Sequence, residues 1–255
     1  MAIYPSIFND VIGPVMRGPS SSHCAASLRI ARICRDLMDG EIRHILIEFD
    51  PNGSLATTHK SQGSDMGLFG GFLGWEADDE RLPESERYLA EAGITVEFVV
   101  RDIGADHPNT YQLTLSSETE VRRLTAISTG GGMIEVISIE GAAVSMAGDY
   151  YETLIVCTEP ERILRYLEAT VVHDSITLHQ GEHPFIILKA QSYPDAVILS
   201  ELQAMESVLF IKKIKPVMPV MARKDLEVPF ISCNEMLEYN NGKDKSLWEL
   251  AIDYE

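Results

Sequence analysis

The chain has 255 residues, of which 45% are hydrophobic and 24% charged, and its formal net charge is −18. The apolar content excludes an intrinsically disordered chain, and the strong negative charge disfavours binding to nucleic acid or to anionic membranes. The length exceeds what a single hydrophobic core comfortably supports, so we expect two domains and a tail.

Sequence signals for membrane insertion and secretion are lacking. No apolar run approaches the ~20 residues that cross a bilayer, and the opening residues MAIYPSIFND do not have the basic and apolar regions of a signal peptide. We therefore expect a cytoplasmic protein. The four cysteines, Cys24, Cys34, Cys157 and Cys233, are scattered without a Cys-x-x-Cys pair, which predicts reduced thiols and no local metal-ligand cluster.

The first 150 residues alternate short helix and strand patterns with glycine-rich turns. A helix is predicted after Ser20–Ser22, with one serine as its N-cap and a stop near Gly40. Asp50-Pro51-Asn52-Gly53 is turn chemistry, which predicts a hairpin over residues 42–58. Residues 119–128 are mixed in composition and compatible with a helix. The other patterns predict a helix at 64–74, a loop or short helix at 76–88, strands at 94–101 and 110–117, and a strand pair at 133–147.

The pattern changes from about Tyr150 onward. The order strand, helix, strand, strand, helix, strand over residues 151–217 is the ferredoxin-like plan. Pro216, Pro219 and a charged stretch then mark a linker, and residues 229–255 hold one or two short helices. The predicted fold class is therefore α+β.

The strongest local motif is Gly18-Pro19-Ser20-Ser21-Ser22-His23 at the start of the first helix. Unpaired amides and the positive end of the helix dipole favour an anion at such a position, and three hydroxyl groups add donors. His23 can donate to the same anion or exchange protons near neutral pH. The motif predicts a site for a carboxylate or a phosphate. The alternative is an ordinary serine N-cap followed by a surface histidine.

Three further segments carry polar residues or glycines. Thr57–Asp65 is a loop between a strand and a helix, in which Lys60 can hold a carboxylate and Ser64 or Asp65 can cap the helix. Asp106–Asn109 is a turn before a strand. The run Gly130–Gly132 indicates a close approach of the backbone to another group. Each segment alone is also compatible with an ordinary loop, and none fits a dinucleotide fingerprint, a P-loop or a nucleophile elbow.

Together and in this order, the four motifs resemble the β chain of bacterial iron–sulfur-dependent L-serine dehydratases. The segment SIFNDVIGPVMRGPSSSHCAASLRIAR is similar to that family's start and GSLATTHKSQGSD to its second element, while HPNT and the triple glycine complete the set. The resemblance covers about residues 3–148. Residues 229–255 also resemble the first helices of the family's α region.

The resemblance implies three regions. Residues 1–149 would form a dehydratase β-like domain, similar to the allosteric substrate-binding domain of some phosphoglycerate dehydrogenases. Residues 150–221 would form an ACT-like domain with a ferredoxin fold, and residues 222–255 a linker and a helical tail.

The resemblance also implies a reaction, in which L-serine loses water and then ammonia to give pyruvate. A [4Fe-4S] cluster is the Lewis acid that takes the hydroxyl, and its cysteines belong to an α partner rather than to this chain. This chain would be one part of an oligomer that acts on a small amino acid. The family pattern implies catalytic roles for His23, Lys60 and His107. It implies substrate-binding roles for Ser20, Ser21, Ser22, Gly63, Ser64, Asp65 and Asn109, and no metal ligand.

The sequence departs from the family pattern at three points. Gln62 stands where the family has a histidine that is suited to proton transfer, and an amide cannot titrate. Cys24 replaces a threonine, and the ACT-like region lacks the Asp-x-Pro-Gly loop that binds amino acids in many such domains. The change at Gln62 leaves three alternatives open: another β-substituted amino acid as substrate, a base shifted to His23 or His59, or reduced activity. The rival hypothesis is a non-catalytic amino-acid-binding module that regulates a partner.

Overall fold

The computed structural model describes residues 7, 13, 15–181, 183–218 and 227–255. The chain forms two compact units, one of residues Met16–Val220 and one of residues Met1–Val15 with Met221–Glu255. Most of the predicted linker around Pro219 lies outside the described residues.

A six-stranded sheet with helices forms the first part of the large unit. Its strands follow the order β2-β1-β3-β4-β5-β6, in which β1 and β2 are parallel and all other neighbours are antiparallel. The helices are α1 (Ser21–Asp36), α2 (Leu55–Thr58), α3 (Ser64–Phe72) and α4 (Ser85–Glu91), and a 3-10 turn covers Leu82–Glu84. The strands are β1 (His44–Phe49), β2 (Thr95–Val100), β3 (Thr110–Ser116), β4 (Val121–Gly130), β5 (Met133–Ile139) and β6 (Ala142–Met146).

Two predictions for this part are wrong. The turn at Asp50 does not close a hairpin over 42–58, because β1 pairs with β2 and β3 and the chain after the turn enters α2. Residues 119–128 are not helical but supply most of β4. In β4 the side chains of Leu124, Ala126 and Ser128 are buried while those between them are more exposed. This two-residue alternation is that of a strand with one face on the core.

A four-stranded antiparallel sheet forms the second part of the large unit, and its six elements occur in the predicted order. They are β7 (Tyr151–Cys157), α5 (Pro160–Thr170), β8 (Ser175–His179), β9 (Phe185–Ala190), α6 (Ala196–Gln203) and β10 (Val208–Ile214). The strand order is β10-β7-β9-β8. Because β7 and β9 lie at the centre, they carry the longest buried runs of this sheet.

Close packing of α1 against α3 fixes the helical layer over the first sheet. Gly67 and Gly71 of α3 face α1, and a Cβ at either position would lie under 3.0 Å from backbone or side-chain atoms of α1. These glycines are four positions apart in the sequence, so they lie on one face of α3. Only glycine permits the observed approach, and this approach positions the N-terminus of α1 beside that of α3.

An ion-pair network joins the two sheets. Lys212 of β10, whose side chain is only 2% exposed, places its Nζ 2.7 Å from Asp39 Oδ2 and 3.2 Å from Glu120 Oε2. Glu120 also pairs with Arg122 at 2.8 Å. Burial opposes ionisation of Glu120, but the Asp39 amide and the nearby cations together lower the pKa of its carboxyl. Glu120 immediately precedes β4, and Asp39 lies in the segment before β1. The network is therefore at the end of the first sheet where these two strands begin.

The described tail of the small unit contains two short helices, as predicted: α7 (Cys233–Asn240) and α8 (Leu247–Tyr254). Each begins with a capping box, formed by Ser232 with Glu235 and by Ser246 with Glu249. The longest helix within the described residues has 16 residues, and no described helix is long and apolar enough to span a bilayer.

Candidate functional site

The four motifs lie at one end of the six-stranded sheet, which we call the loop end. The sheet register sets this position: β1 and β4 run towards the loop end, whereas β3 and β5 begin there. Thr110 of β3 pairs with Ile127 of β4, and Gly130 pairs with Met133. The antiparallel pairing therefore brings the Asp106–Asn109 turn and the triple glycine to the end where β1 runs into α2.

The first loop leads into α1. Ser20 is the N-cap of α1, as predicted, but its hydroxyl is 2.7 Å from His23 Nδ1 instead of bonding a backbone amide. Ser21, Ser22 and His23 form the first turn of the helix and are partly buried. This turn presents hydroxyl groups together with backbone N–H groups at the positive end of the helix dipole. Such an arrangement suits an anion.

The second loop packs against the first. The Ser20 N–H donates to the Gln62 carbonyl oxygen at 3.2 Å. Gly63 has a φ of 82°, and a Cβ there would lie 2.8 Å from Pro19 Cδ. Gly63, not Ser64 or Asp65, is the N-cap of α3, so the predicted helix cap is wrong. The Ser64 hydroxyl bonds to Tyr111 and the Asp65 carboxylate to His59, so neither side chain caps the helix.

Ser64 and Asp65 bond to residues of the sheet and of the same loop. The Tyr111 hydroxyl of β3 donates to Ser64 Oγ at 3.2 Å, and both side chains are fully buried. Burial, with a contribution from the Asp65 charge, raises the pKa of Tyr111 to about 12. Asp65 Oδ1 is 2.5 Å from His59 Nδ1. Loop and sheet are thus tied by polar contacts at a buried position.

A cavity of about 360 Å³ opens beside this loop. Its walls come from the second loop, α3, α4 and β2. They are formed by His59, Lys60, Asp65, Met66, Phe69, Pro83, Ser85, Glu86 and Phe98. Of the ten site residues implied by the family pattern, Lys60 and Asp65 line this cavity. A larger cavity of about 440 Å³ lies at the opposite end of the sheet, near Arg35 and Ile94, and contains none of the ten.

The third loop is held by backbone contacts to its neighbours. The Ser54 N–H donates to the Pro108 carbonyl at 2.8 Å, and the Ser54 hydroxyl donates to Asn109 Oδ1. The Asn109 N–H donates to His107 Nδ1 at 3.1 Å, and the Ser128 N–H donates to the Asn109 carbonyl at 3.1 Å. His107 and Asn109 are thus fixed between the start of α2 and the end of β4.

The triple glycine forms the turn between β4 and β5. Gly130, Gly131 and Gly132 all have positive φ values, of 106°, 62° and 85°. Arg29, which is buried on α1, donates to the Gly132 carbonyl at 2.5 Å. Burial lowers the pKa of Arg29. The close approach expected for this segment is therefore made to the α1 side chains. Arg29 belongs to none of the four sequence motifs, and it lies among the buried residues of α1.

The structure joins the motifs in two contacting pairs, the first loop with the second and the third with the fourth. Ser20 contacts His23 and the backbone of Gln62, while Asn109 contacts Ser54 and Ser128. The pairing of His59 with Asp65 was not foreseen, although the spacing His59 to Asp65 across a glycine turn is a signal for it. The roles of the ten residues stay predictions.

The cysteines of this chain do not fit a [4Fe-4S] cluster. Cys24 and Cys34 are buried on α1, Cys157 is buried on β7, and Cys233 is exposed on α7. Burial raises the pKa of Cys24 to about 11 and raises that of Cys34 further, whereas a cluster needs thiolates. Within the described ranges, no three His, Cys, Asp or Glu side chains converge to hold a metal ion.

Comparisons with known proteins find two similar chains, although no family model matches. The chain is 34% identical over 219 residues to the probable L-serine dehydratase, beta chain, of Bacillus subtilis (strain 168). This match covers 83% of the chain and 98% of that protein. The chain is also 33% identical over 162 residues to the L-serine dehydratase, beta chain, of Peptoniphilus asaccharolyticus. This second match covers 63% of the chain and 72% of that protein.

Proposed function

Because this chain belongs to the family of L-serine dehydratase beta chains, we propose that it is the β subunit of an enzyme that converts L-serine into pyruvate and ammonia. One observation of the structure carries the proposal: the four motifs, far apart in sequence, meet at the loop end of one sheet.

In this proposal the first turn of α1 binds the substrate carboxylate. Ser20, Ser21 and Ser22 supply hydroxyl groups there, and the amides at the helix start supply further donors. Removing the proton next to a carboxylate places negative charge on that carboxylate. Donors fixed around it therefore stabilise the transition state more than the ground state.

The other loops orient the amino acid and exchange protons. Lys60 and Asp65 act from the second loop, whose conformation depends on Gly63 and on the bond between Ser64 and Tyr111. His107 and Asn109 act from the third loop, where Ser54 and Ser128 hold the backbone. His23, bonded to Ser20, is a further proton-exchange group.

The partner in this proposal is an α chain that carries the [4Fe-4S] cluster. The beta-chain names of the two relatives support a partner, and the buried thiols of this chain do not fit a cluster. Residues 150–221 would be an ACT-like domain, and residues 222–255 a linker and a tail that resembles the start of the α region. We place the assembly in the cytoplasm, where free thiols stay reduced.

The test is reconstitution of this chain with an α chain of the family and iron under anaerobic conditions, followed by assay of pyruvate and ammonia from L-serine. Turnover that requires both chains is expected. Ser21→Ala should raise KM by ~10-fold or more, since a hydrogen bond to a charged group is lost. Ser145→Ala, at an exposed position on β6, is the matched control. A mixture that turns over neither serine nor other β-hydroxy or β-thiol amino acids would contradict the proposal.

A second candidate is a non-catalytic amino-acid-binding module that regulates a partner. Gln62 favours it, because its amide cannot exchange protons where the family pattern has a histidine. Calorimetry of L-serine with the isolated chain separates the two candidates. Saturable binding without any partner, together with no turnover in the reconstituted mixture, supports the module.

A further inference from the structure

His59 is held in one orientation by three neighbours. Its Nδ1 lies 2.5 Å from Asp65 Oδ1. Its ring stacks on Phe98 with centroids 5.0 Å apart and an interplanar angle of 24°, and it lies 5.0 Å from the Phe49 ring. The side chains of His59 and Asp65 are only 20% and 16% exposed. The imidazole is therefore fixed at the junction of the second loop and the sheet.

The two ring nitrogens have different surroundings. A carboxylate can only accept, so Nδ1 carries the hydrogen in this pair and Nε2 is left with a lone pair. No hydrogen bond joins Nε2 to any residue that the structure describes. His59 lines the cavity of about 360 Å³ together with Lys60 and Glu86. An imidazole that is oriented by a carboxylate, has no hydrogen bond at its second nitrogen and belongs to a cavity-lining residue is the arrangement of a general base.

Position 62 of the second loop, three residues after His59, holds a glutamine. Gln62 Oε1 is buried and has no hydrogen-bond partner among the described residues, and an amide cannot accept a proton at neutral pH. Of the seven histidines in the chain, His44 also faces a carboxylate, but its Nε2 is 3.8 Å from Glu97 and both side chains are exposed. His59 therefore differs from His44 in burial, distance and access to a cavity.

We propose that His59 is the proton-accepting catalytic residue of the second loop and that Asp65 is its positioning residue. This inference rests on the proposed function. His59 Nε2 takes the α-proton of the amino acid, and the C–H electron pair becomes the new Cα–Cβ π bond. The Cβ–O bond breaks with its electron pair on oxygen, and the proton passes from Nε2 to that oxygen, so that water leaves. Lys60 lines the same cavity and adds a positive charge beside His59.

The alternative is that His59 only packs between aromatic rings, and His59→Asn separates the two roles. The asparagine amide can replace the Nδ1–H and donate to Asp65, but it offers nothing at the position of Nε2. In the anaerobic mixture with the α chain, we expect His59→Asn to lower kcat/KM by ~10²-fold or more. Asp65→Asn should lower it by at least ~10-fold, because the tautomer is no longer fixed. His44→Asn is the matched control and should leave the rate unchanged.

A second measurement reports on the chemical step itself. With L-serine deuterated at the α-carbon, the isotope effect on kcat/KM should increase in His59→Asn and Asp65→Asn, because proton removal becomes more limiting. A packing defect lowers the rate without raising the isotope effect. Unchanged thermal unfolding of both variants shows that the fold is kept.

The proposed function and the role of His59 are contradicted by different results. No turnover by the wild-type mixture overturns both the proposed function and the role of His59. Turnover by the wild type with near wild-type kcat/KM in His59→Asn overturns the role of His59 alone. A loss of rate with an unchanged isotope effect also overturns it, since His59 would then be structural.

Discussion

Replacing Gly71 by alanine tests whether the contact between α1 and α3 sets the geometry of the loop end. Helix propensity alone favours alanine over glycine by up to about 1 kcal/mol, so a surface helix would be stabilised. In this protein a Cβ at Gly71 would lie 2.6 Å from the Cβ of Ala31 and still closer to the carbonyl oxygen of Leu28. Both atoms belong to the body of α1 and cannot rotate away.

The net effect follows from the two magnitudes. Overpacking a well-filled interior costs about 1–3 kcal/mol, and the upper part of that range applies because a backbone carbonyl obstructs the new methyl group. After the gain in propensity, we expect a net loss of about 2 kcal/mol. For a chain of this size that loss lowers Tm by about 4–8 °C.

The assay is thermal unfolding followed by circular dichroism at 222 nm, with Gly40→Ala as the matched control. A Cβ at Gly40 has the Cβ and Oγ of Ser117 as its nearest atoms, at 3.6 Å, which is ordinary van der Waals contact. That variant should unfold within about 2 °C of wild type. A Gly71→Ala variant that is as stable as wild type, or more stable, would refute the reasoning.

Further predictions concern the buried charges and the thiols. Lys212→Met should lower the free energy of unfolding by about 2–3 kcal/mol, because two carboxylates lose a buried partner. The control Lys213→Met, at the exposed neighbouring position, should change it by less than about 0.5 kcal/mol. Equal denaturant midpoints for the two variants would contradict this prediction. Burial raises the pKa of Glu152 to about 7 from an ordinary 4.5. The unfolded chain therefore releases this proton first, and stability should fall as pH rises from about 4.5 to about 7. Glu152→Gln should remove that slope in urea titrations at several pH values, and a flat wild-type curve would rule the effect out. Iodoacetamide should label the exposed Cys233 well before Cys24, because burial raises the pKa of the Cys24 thiol to about 11. Equal labelling rates of the two cysteines in mass spectrometry would disprove the burial of Cys24.

Much of the secondary structure was predictable because local pattern and tertiary role agree. The helix that follows the serines and the six elements between Tyr151 and Ile214 are confirmed. The hairpin over 42–58 was wrong because turn residues specify a reversal but not the element that follows it. Asp50 accepts the amide of Asn52 and also those of Ile103 and Ala105, and a contact across 53 residues leaves no trace in a local window.

The candidate site was predictable as a set of motifs but not as an arrangement. The motif around Ser20 indicated an anion-binding helix start, and the serine is indeed the N-cap of α1. The bond from Ser20 Oγ to His23 and the pairing of His59 with Asp65 depend on rotamers, which composition does not specify. Arg29 was missed because an arginine on a buried helix face has meaning only once the carbonyl it meets is known.

The ion pairs of Lys212 lie at the far end of the six-stranded sheet from the four motifs. Seven residues of β3 separate these ends, which is roughly 24 Å at the usual rise per residue. The second sheet is held to the first at this far end by Lys212, and also along β6, where Lys189 Nζ donates to the Ser145 carbonyl at 2.6 Å and His179 Nδ1 lies 2.8 Å from the Ala143 carbonyl oxygen. The ion pairs of Lys212 are thus one of several attachments between the two sheets, which also share one hydrophobic core, so losing these ion pairs alone should leave the sheets in contact.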